Sequence, residues 1–249
     1  VLTTPVYGPM HGTLALDSTG SFIYTPYPGY YGADSVIISI CDNEPLCAND
    51  IIFINVNQSV QAIAGPDQEW CNSSSTFLIG NTSPSASTSS WTQISGPNSV
   101  IISPQNTSSA GVSGMIPGTY QFVYILTSEY ASGNCTSTDT LTVVNYHLPS
   151  TSYAGPDQEL CLVSGATTST TVSGTIPEFG TGIWEQVLGP TTAIIADSLN
   201  SNTVISNLAA GEYGFNWVIY SGPCEPHYDY IHISVHQGPF VDAGTDGQT

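Results

Sequence analysis

The chain has 249 residues, contains no lysine or arginine, and carries 19 acidic residues for a formal net charge of −19. Without cationic side chains it cannot neutralise phosphates, which excludes nucleic-acid binding, and it offers no basic patch to an anionic lipid surface. Hydrophobic residues make up 40% of the chain, which is enough for a folded core. The sequence contains no run of about 18 apolar residues, so it does not predict insertion into a membrane.

The first segment, residues 1–58, predicts a small β domain. "HGTLAL", "DSTG" and "SFIYTP" over residues 11–26 form a hairpin signal, and strand patterns follow in "PGYYGADSVIISI" and "DIIFINV". "CDNEPLC" at 41–47 predicts a small loop closed by a disulfide. Because the segment is short for a sandwich, we expect its first strands either to be lacking or to precede Val1.

The remaining sequence repeats. "AGPDQEWC" at 64–71 returns as "AGPDQELC" at 154–161, and "AGTDGQT" follows at 243–249. The first two alanines are 90 residues apart and the last two 89, which is typical of a domain array. The pattern predicts two repeats, 59–146 and 147–236, and the start of a further repeat at 237–249.

Matching blocks within the two repeats predict strands. "WTQISGP" at 91–97 matches "WEQVLGP" at 184–190, and "PGTYQFVY" at 117–124 matches "AGEYGFNW" at 210–217. Apolar and polar side chains alternate in these blocks, and helical periodicity is absent. A glycine two residues before Tyr120 and Tyr213 is similar to a tyrosine corner. We therefore predict an all-β chain of tandem Ig-like β-sandwich domains in an extended array.

The cysteines predict an oxidising compartment. Two fall in each predicted domain: Cys41, Cys47, Cys71, Cys135, Cys161 and Cys224. We expect one disulfide per domain, which in each repeat ties the opening strand to the loop between the last two strands. A zinc site is the alternative, although the spacing is not of the paired C-x-x-C type.

These blocks resemble known surface-protein repeats. "HGTLALDSTGSFIYTPYPGYYGADSVIISICDN" is similar to the cadherin-like or bacterial Ig-like repeats of giant bacterial surface proteins. The blocks that begin with "AGPDQ" resemble the PKD-like repeats of cell-surface and gliding adhesins of Bacteroidota, which are exported by type IX secretion. The resemblance implies a multi-domain protein used in adhesion, motility or capture of targets.

Acidic side chains recur at the start of each repeat: Asp67, Glu69, Asp157 and Glu159. Together with backbone carbonyls they could bind Ca²⁺, which prefers six to eight oxygen ligands. The alternative is that each aspartate accepts hydrogen bonds from nearby N–H groups in a turn. Calcium is the one cofactor that we consider, and none is otherwise expected.

Two further groups are candidates for binding. Four tyrosines within residues 24–32 could bind sugars or partners, or could pack in the core: Tyr24, Tyr27, Tyr30 and Tyr31. Imidazole and carboxylate groups near one predicted strand could bind a metal: His227, Asp229, His232 and His236. The sequence contains no Ser–His–Asp order and no nucleophile elbow, so it does not predict catalysis.

We therefore expect a structural segment of a giant extracellular adhesin or filament, and not an enzyme. Its partners would be neighbouring repeats of the same chain, other copies in a homo-oligomeric filament, or cell-surface glycans. The alternative is an accessory spacer or carbohydrate-binding stalk of a large secreted polysaccharide hydrolase.

Overall fold

In a computed structural model, residues 5–17, 20–41, 46–83, 88–130, 133–162 and 167–238 are described, and they form 18 β-strands. The described residues contain no helix, and therefore no helix that could cross a membrane. The all-β prediction is confirmed. The strands fall into three groups along the chain, which we call the first, second and third units.

The first unit pairs its four strands in two hairpins, β1 with β2 and β3 with β4. Its strands are β1 (Gly12–Leu16), β2 (Phe22–Pro26), β3 (Gly32–Cys41) and β4 (Cys47–Val56). Tyr7 adds one bridge to Ile37 of β3. Val36 and Ile38 on β3 are buried, whereas Phe53 on β4 is 82% exposed.

The second unit is a sandwich of two sheets, ordered β5-β11-β10-β7 and β6-β9-β8. Its strands are β5 (Gln68–Cys71), β6 (Ser75–Ile79), β7 (Thr88–Ser95), β8 (Ile101–Ser103), β9 (Ser109–Ser113), β10 (Gly118–Tyr130) and β11 (Gly133–Tyr146).

The third unit repeats this topology, with sheets ordered β12-β18-β17-β14 and β13-β16-β15. Its strands are β12 (Gln158–Leu162), β13 (Thr168–Ser173), β14 (Thr181–Leu188), β15 (Ile194–Ile195), β16 (Asn202–Leu208), β17 (Gly211–Tyr220) and β18 (His227–Gln237). The predicted further repeat at 237–249 lies outside the described residues from 239 onward.

Each sandwich opens with a strand that runs parallel to its last strand. β5 pairs with the end of β11, where Cys71 lies opposite Tyr146. β12 pairs with the end of β18 in the same way, and Cys161 lies opposite His236. The opening strand therefore lies at the end of the sandwich where the last strand also ends.

The cores follow the predicted alternation. Tyr120, Phe122, Tyr124 and Leu126 on β10 are all buried, and Trp91 packs on Tyr124 with 4.8 Å between ring centroids. In the third unit the same layer contains a pair of tryptophans instead of a Trp–Tyr pair. Inward-facing aromatic side chains of this size dominate the burial of apolar area in a small sandwich.

The tyrosine corners are also confirmed. The hydroxyl of Tyr120 accepts a hydrogen bond of 2.8 Å from the Ile116 N–H, four residues upstream. The hydroxyl of Tyr213 accepts one of 2.9 Å from the Ala209 N–H, again four residues upstream. Each corner fixes the chain where it crosses from one sheet to the other.

Candidate functional site: the junction between the second and third units

The repeated Ala-Gly-Pro-Asp segment fastens the start of each sandwich to its last strand. The N–H of Ala64 donates a 2.8 Å hydrogen bond to Oδ2 of Asp139, and the N–H of Ala154 donates one of the same length to Asp229. Both alanines are buried. A buried N–H without an acceptor costs about 1–3 kcal/mol, so each of these aspartates stabilises its unit.

The motif aspartates complete this attachment. Oδ1 of Asp67 accepts a 2.8 Å hydrogen bond from the Thr142 N–H, and Oδ1 of Asp157 accepts one of 2.9 Å from the His232 N–H. Gly65, between the alanine and the aspartate of the second unit, has a φ of 84°, a left-handed conformation that favours glycine. The motif therefore recurs because it docks the opening segment in both sandwiches.

The predicted calcium ligands are not brought together. Asp67 and Asp157 are exposed, and an oxygen of each accepts an amide hydrogen bond within its own unit. Glu69 accepts a long hydrogen bond of 3.4 Å from the Tyr146 hydroxyl, and Glu159 is exposed. Within the described ranges no group of three or more His, Cys, Asp or Glu side chains could hold a metal ion. Calcium binding stays a prediction.

The histidine group is likewise divided among separate structural contacts. Nδ1 of His227 accepts a 3.0 Å hydrogen bond from the Ser152 N–H, and Asp229 is engaged by the Ala154 N–H. Nε2 of His232 lies 3.0 Å from the carboxylate of Glu212. His236 is exposed.

The tyrosine segment of the first unit contains two half-buried rings and two exposed rings. The Tyr24 hydroxyl donates to Asp34, and the Tyr30 ring stacks on His11 with 4.1 Å between centroids. Tyr27 and Tyr31 are 52% and 57% exposed. They line a cavity of about 400 Å³ together with residues 56–59. Ligand binding by these tyrosines stays a prediction.

Asp34 is the most strongly perturbed carboxyl group of the described residues. Burial opposes its ionisation, but hydrogen bonds from the N–H groups of His11, Ser35 and Met10 and from the Tyr24 hydroxyl lower its pKa to about 2. Burial and the neighbouring carboxylate raise the pKa of Tyr24 to about 12. These contacts hold the start of the first unit onto β3.

The predicted disulfide pairing is wrong for the two sandwiches. Cys41 and Cys47 are bonded as expected, but Cys71 of the second unit bonds Cys224 of the third, with a Cα–Cα distance of 4.9 Å. Cys135 and Cys161 are free thiols. One disulfide therefore joins two successive units, and the expected bond within each sandwich is absent.

The register of β5 explains the difference. Cys71 lies opposite Tyr146 at the end of β11, whereas Cys135 lies eleven positions earlier on the same strand. Eleven residues of strand span about 36 Å at ~3.3 Å per residue. A disulfide needs Cα atoms no more than about 7 Å apart, so Cys71 and Cys135 cannot be bonded in this fold.

Polar contacts hold the connecting segment beside the disulfide. The Ser221 hydroxyl donates a 2.7 Å hydrogen bond to the His147 carbonyl oxygen, which lies 3.3 Å from Sγ of Cys224. The His147 ring stacks on Phe179 with 3.9 Å between centroids. The Ser150 hydroxyl accepts hydrogen bonds from the Glu178 and Phe179 N–H groups at 3.0 and 2.8 Å. The connection between these units is therefore docked onto the third unit.

Close packing completes the junction. Gly222, with a φ of 50°, lies so near the Tyr146 ring that an added Cβ would come within 2.4 Å of it. Residues of both units line a cavity of about 320 Å³ at this place, including Thr119, Val144 and Phe179. We did not predict Ser221, Gly222 or Phe179 as functional residues, because no local sequence signal shows that they pack against the preceding unit.

The junction between the first and second units differs. The Tyr130 hydroxyl donates a 2.9 Å hydrogen bond to the Gln58 carbonyl oxygen there. Both cysteines of the first unit are bonded to each other, and Cys135 at this end of the second unit is free. Of the two junctions that the described residues form, the second alone is covalent.

Two family descriptions match parts of the chain. Residues 1–55 match the bacterial Ig domain, and residues 64–144 match the family described as "K319L-like, PKD domain". None of the curated proteins compared with the chain matches it.

Solved structures that are similar to the chain include a PKD domain and two fragments of several successive domains. The PKD domain of the KIAA 1837 protein is 31% identical over 36% of this chain and 89% of its own, with a TM-score of 0.32. Domains 3–5 of Drosophila OTK are 9% identical over 89% of this chain and 77% of theirs, with a TM-score of 0.46. The I-band of titin, in a fragment of tandem domains, is 14% identical over 92% and 83%, with a TM-score of 0.37. The two family matches identify a PKD-like domain at residues 64–144, preceded by a bacterial Ig-like domain.

Proposed function

We propose that this chain is a segment of the stalk of an extracellular, cell-surface adhesin or filament, in which mechanical load passes from the second unit to the third through a disulfide. The Cys71–Cys224 disulfide is the observation that supports this most directly, because it joins two successive folded units covalently. Disulfides form and persist outside the reducing cytosol, which agrees with an extracellular location.

The disulfide determines how the chain transmits tension. Cys71 and Cys224 are 153 positions apart in sequence. A force applied to the two chain ends passes from one residue to the other through the sulfur atoms, so the intervening segment cannot be extended while the bond is intact. At ~3.3–3.6 Å per extended residue, the protected length is about 500 Å.

The docked connection suits the same role. Stacking of His147 on Phe179, the hydrogen bonds of Ser150 and the packing of Tyr146 on Gly222 restrict rotation of one unit against the other. Such a junction keeps a binding module at a distance from the surface to which the stalk is attached. PKD-like and Ig-like domains are generally not catalytic, and we propose a mechanical role in adhesion, motility or target capture.

Force spectroscopy on the chain, held at both ends, tests the load-bearing role. We expect the oxidised protein to release about 500 Å less contour length on full unfolding than the Cys71→Ser/Cys224→Ser variant. The matched control is Cys135→Ser/Cys161→Ser, which removes the same number of thiols and should behave like the parent protein. Equal released lengths in all three proteins would contradict the proposed function.

Surface labelling tests the location. Antibodies raised against residues 59–238 should label intact cells of the source organism. Labelling only after lysis would show that this segment is not exposed outside the cell, and the stalk proposal would fail.

A further inference from the structure

We propose that Cys161 is one half of a second disulfide between units, and that its partner is a cysteine in the last hairpin of a following PKD-like repeat. The inference rests on the extracellular stalk proposed above, because the bond needs an oxidising compartment. It extends that proposal from one covalent junction to a covalent series along the array.

Cys161 occupies the place in the third unit that Cys71 occupies in the second. Each lies on the opening strand, 90 positions apart in sequence, and each is paired in register with the end of the last strand. An aromatic ring stands opposite both cysteines, Tyr146 in the second unit and His236 in the third. In the second unit this position bonds the next unit along the chain.

Cys161 cannot form a disulfide within its own unit. Cys224, its expected partner, is already bonded to Cys71. Cys224 also precedes the start of β18 at His227, whereas Cys161 lies beside His236, nine positions further along that strand. This separates the two cysteines by about 30 Å at ~3.3 Å per residue. Cys161 is an exposed free thiol at the C-terminal end of the described residues.

The sequence after the third unit has the right length for the same junction. Eight positions separate Tyr146 from Ala154, and seven separate His236 from Ala243 of the next "AGTD" motif. A repeat that begins there would place its own last hairpin beside Cys161, as the third unit places Cys224 beside Cys71.

The opposite end of each repeat supplies the other half of the bond. Cys224 lies five residues before Asp229, and Cys135 lies four residues before Asp139, the equivalent aspartate. Cys135 has no cysteine to meet in the first unit, because both of that unit's cysteines are bonded to each other. The covalent series therefore begins at Cys71 and continues through Cys161.

The chemistry is an ordinary thiol oxidation. The two thiols lose two protons and two electrons and form one S–S bond. A disulfide such as oxidised glutathione accepts the electrons and protons through two exchange steps, and leaves as two molecules of the reduced thiol.

A longer chain tests the inference. Residues 1–242 are followed by a second copy of residues 154–238 in which the copied Cys161 is changed to serine, so that the copy adds one cysteine and keeps the 89-residue spacing of the motifs. The protein is refolded in a glutathione buffer, alkylated without reduction, and digested with pepsin at low pH, because it has no lysine or arginine for trypsin to cut. Mass spectrometry then identifies the bonded peptides.

We expect Cys161 to be bonded to the Cys224 equivalent of the added unit, with the original Cys71–Cys224 bond present and Cys135 alkylated. Changing Cys161→Ser should make the added cysteine fully alkylatable and leave the other bonds unchanged. Alkylation of Cys161 in the longer chain, or its recovery in any other pair, would overturn the inference. The stalk proposal would survive that result, since it is tested by the length released under force.

Discussion

Ala154 donates its backbone N–H to Asp229 across the third unit, and the two residues are 75 positions apart. The same bond joins Ala64 to Asp139 in the second unit. The spacing is the same in both sandwiches. The repeated motif therefore fixes the position of the opening strand, and with it the position of the cysteine on that strand.

Removing this acceptor should destabilise the third unit. In Asp229→Ala the buried N–H of Ala154 loses its partner, and we expect a loss of about 1–3 kcal/mol in the free energy of unfolding. Urea denaturation followed by tryptophan fluorescence gives the value. Glu159→Ala, an exposed acidic residue of the same unit, is the control and should stay within about 0.5 kcal/mol of the parent protein.

Much of this architecture could be predicted from the sequence. The 90-residue period, the alternation in residues 120–126 and the glycine before each corner tyrosine are local signals, and they predicted all-β sandwiches with tyrosine corners. Pairing of Cys41 with Cys47 was predictable for the same reason, since six positions separate them.

The covalent junction could not be predicted in this way. Its cysteines are 153 positions apart, and their meeting depends on the parallel pairing of β5 with the far end of β11. Without the register of β5 on β11, two cysteines in one repeat indicate a disulfide within that repeat. The acidic residues of the motif were ambiguous too, because an aspartate in such a turn can bind a cation or accept backbone hydrogen bonds, and the Thr142 N–H that donates to Asp67 lies 75 positions away.

The packing of Gly222 on Tyr146 should control formation of the junction disulfide. In Gly222→Ala the added Cβ meets the ring, and we expect the yield of the Cys71–Cys224 bond on refolding to fall several-fold. Gly114→Ala is the matched control, because this glycine also has a positive φ but an added Cβ would meet nothing within 4 Å. Restoration of the yield by Tyr146→Ala in the Gly222→Ala background would establish the contact, and a Gly222→Ala yield equal to that of Gly114→Ala would argue against it.

Acid should loosen the first unit. The pKa of Asp34 is lower in the folded chain, at about 2, than its ordinary value of 3.8, so ionised Asp34 stabilises the fold above about pH 4. This stabilisation is lost as the pH falls from 4 towards 2. Hydrogen exchange of peptides from β3 should therefore accelerate over this range relative to Asp34→Asn at the same pH. Parallel behaviour of the two proteins between pH 5 and pH 2 would show that Asp34 has no such role.

Calcium removal should have little effect on stability. Asp67 and Asp157 accept amide hydrogen bonds within their own units, and the exposed carboxylates beside them do not converge. We expect the melting temperature to be the same, within about 1 °C, in 1 mM calcium and in excess chelator. A calcium-dependent rise of several degrees, abolished by Asp67→Asn/Asp157→Asn, would support the calcium hypothesis and contradict this expectation.

The central claim is that successive sandwich units are joined through Cys71 and Cys224. Peptide mapping of the unreduced 249-residue chain after pepsin digestion tests it directly. The structure predicts one peptide pair that contains Cys71 and Cys224, with Cys135 and Cys161 recovered as alkylated thiols. Recovery of Cys71 with Cys135 and of Cys161 with Cys224 would contradict it, and each unit would then be closed on itself.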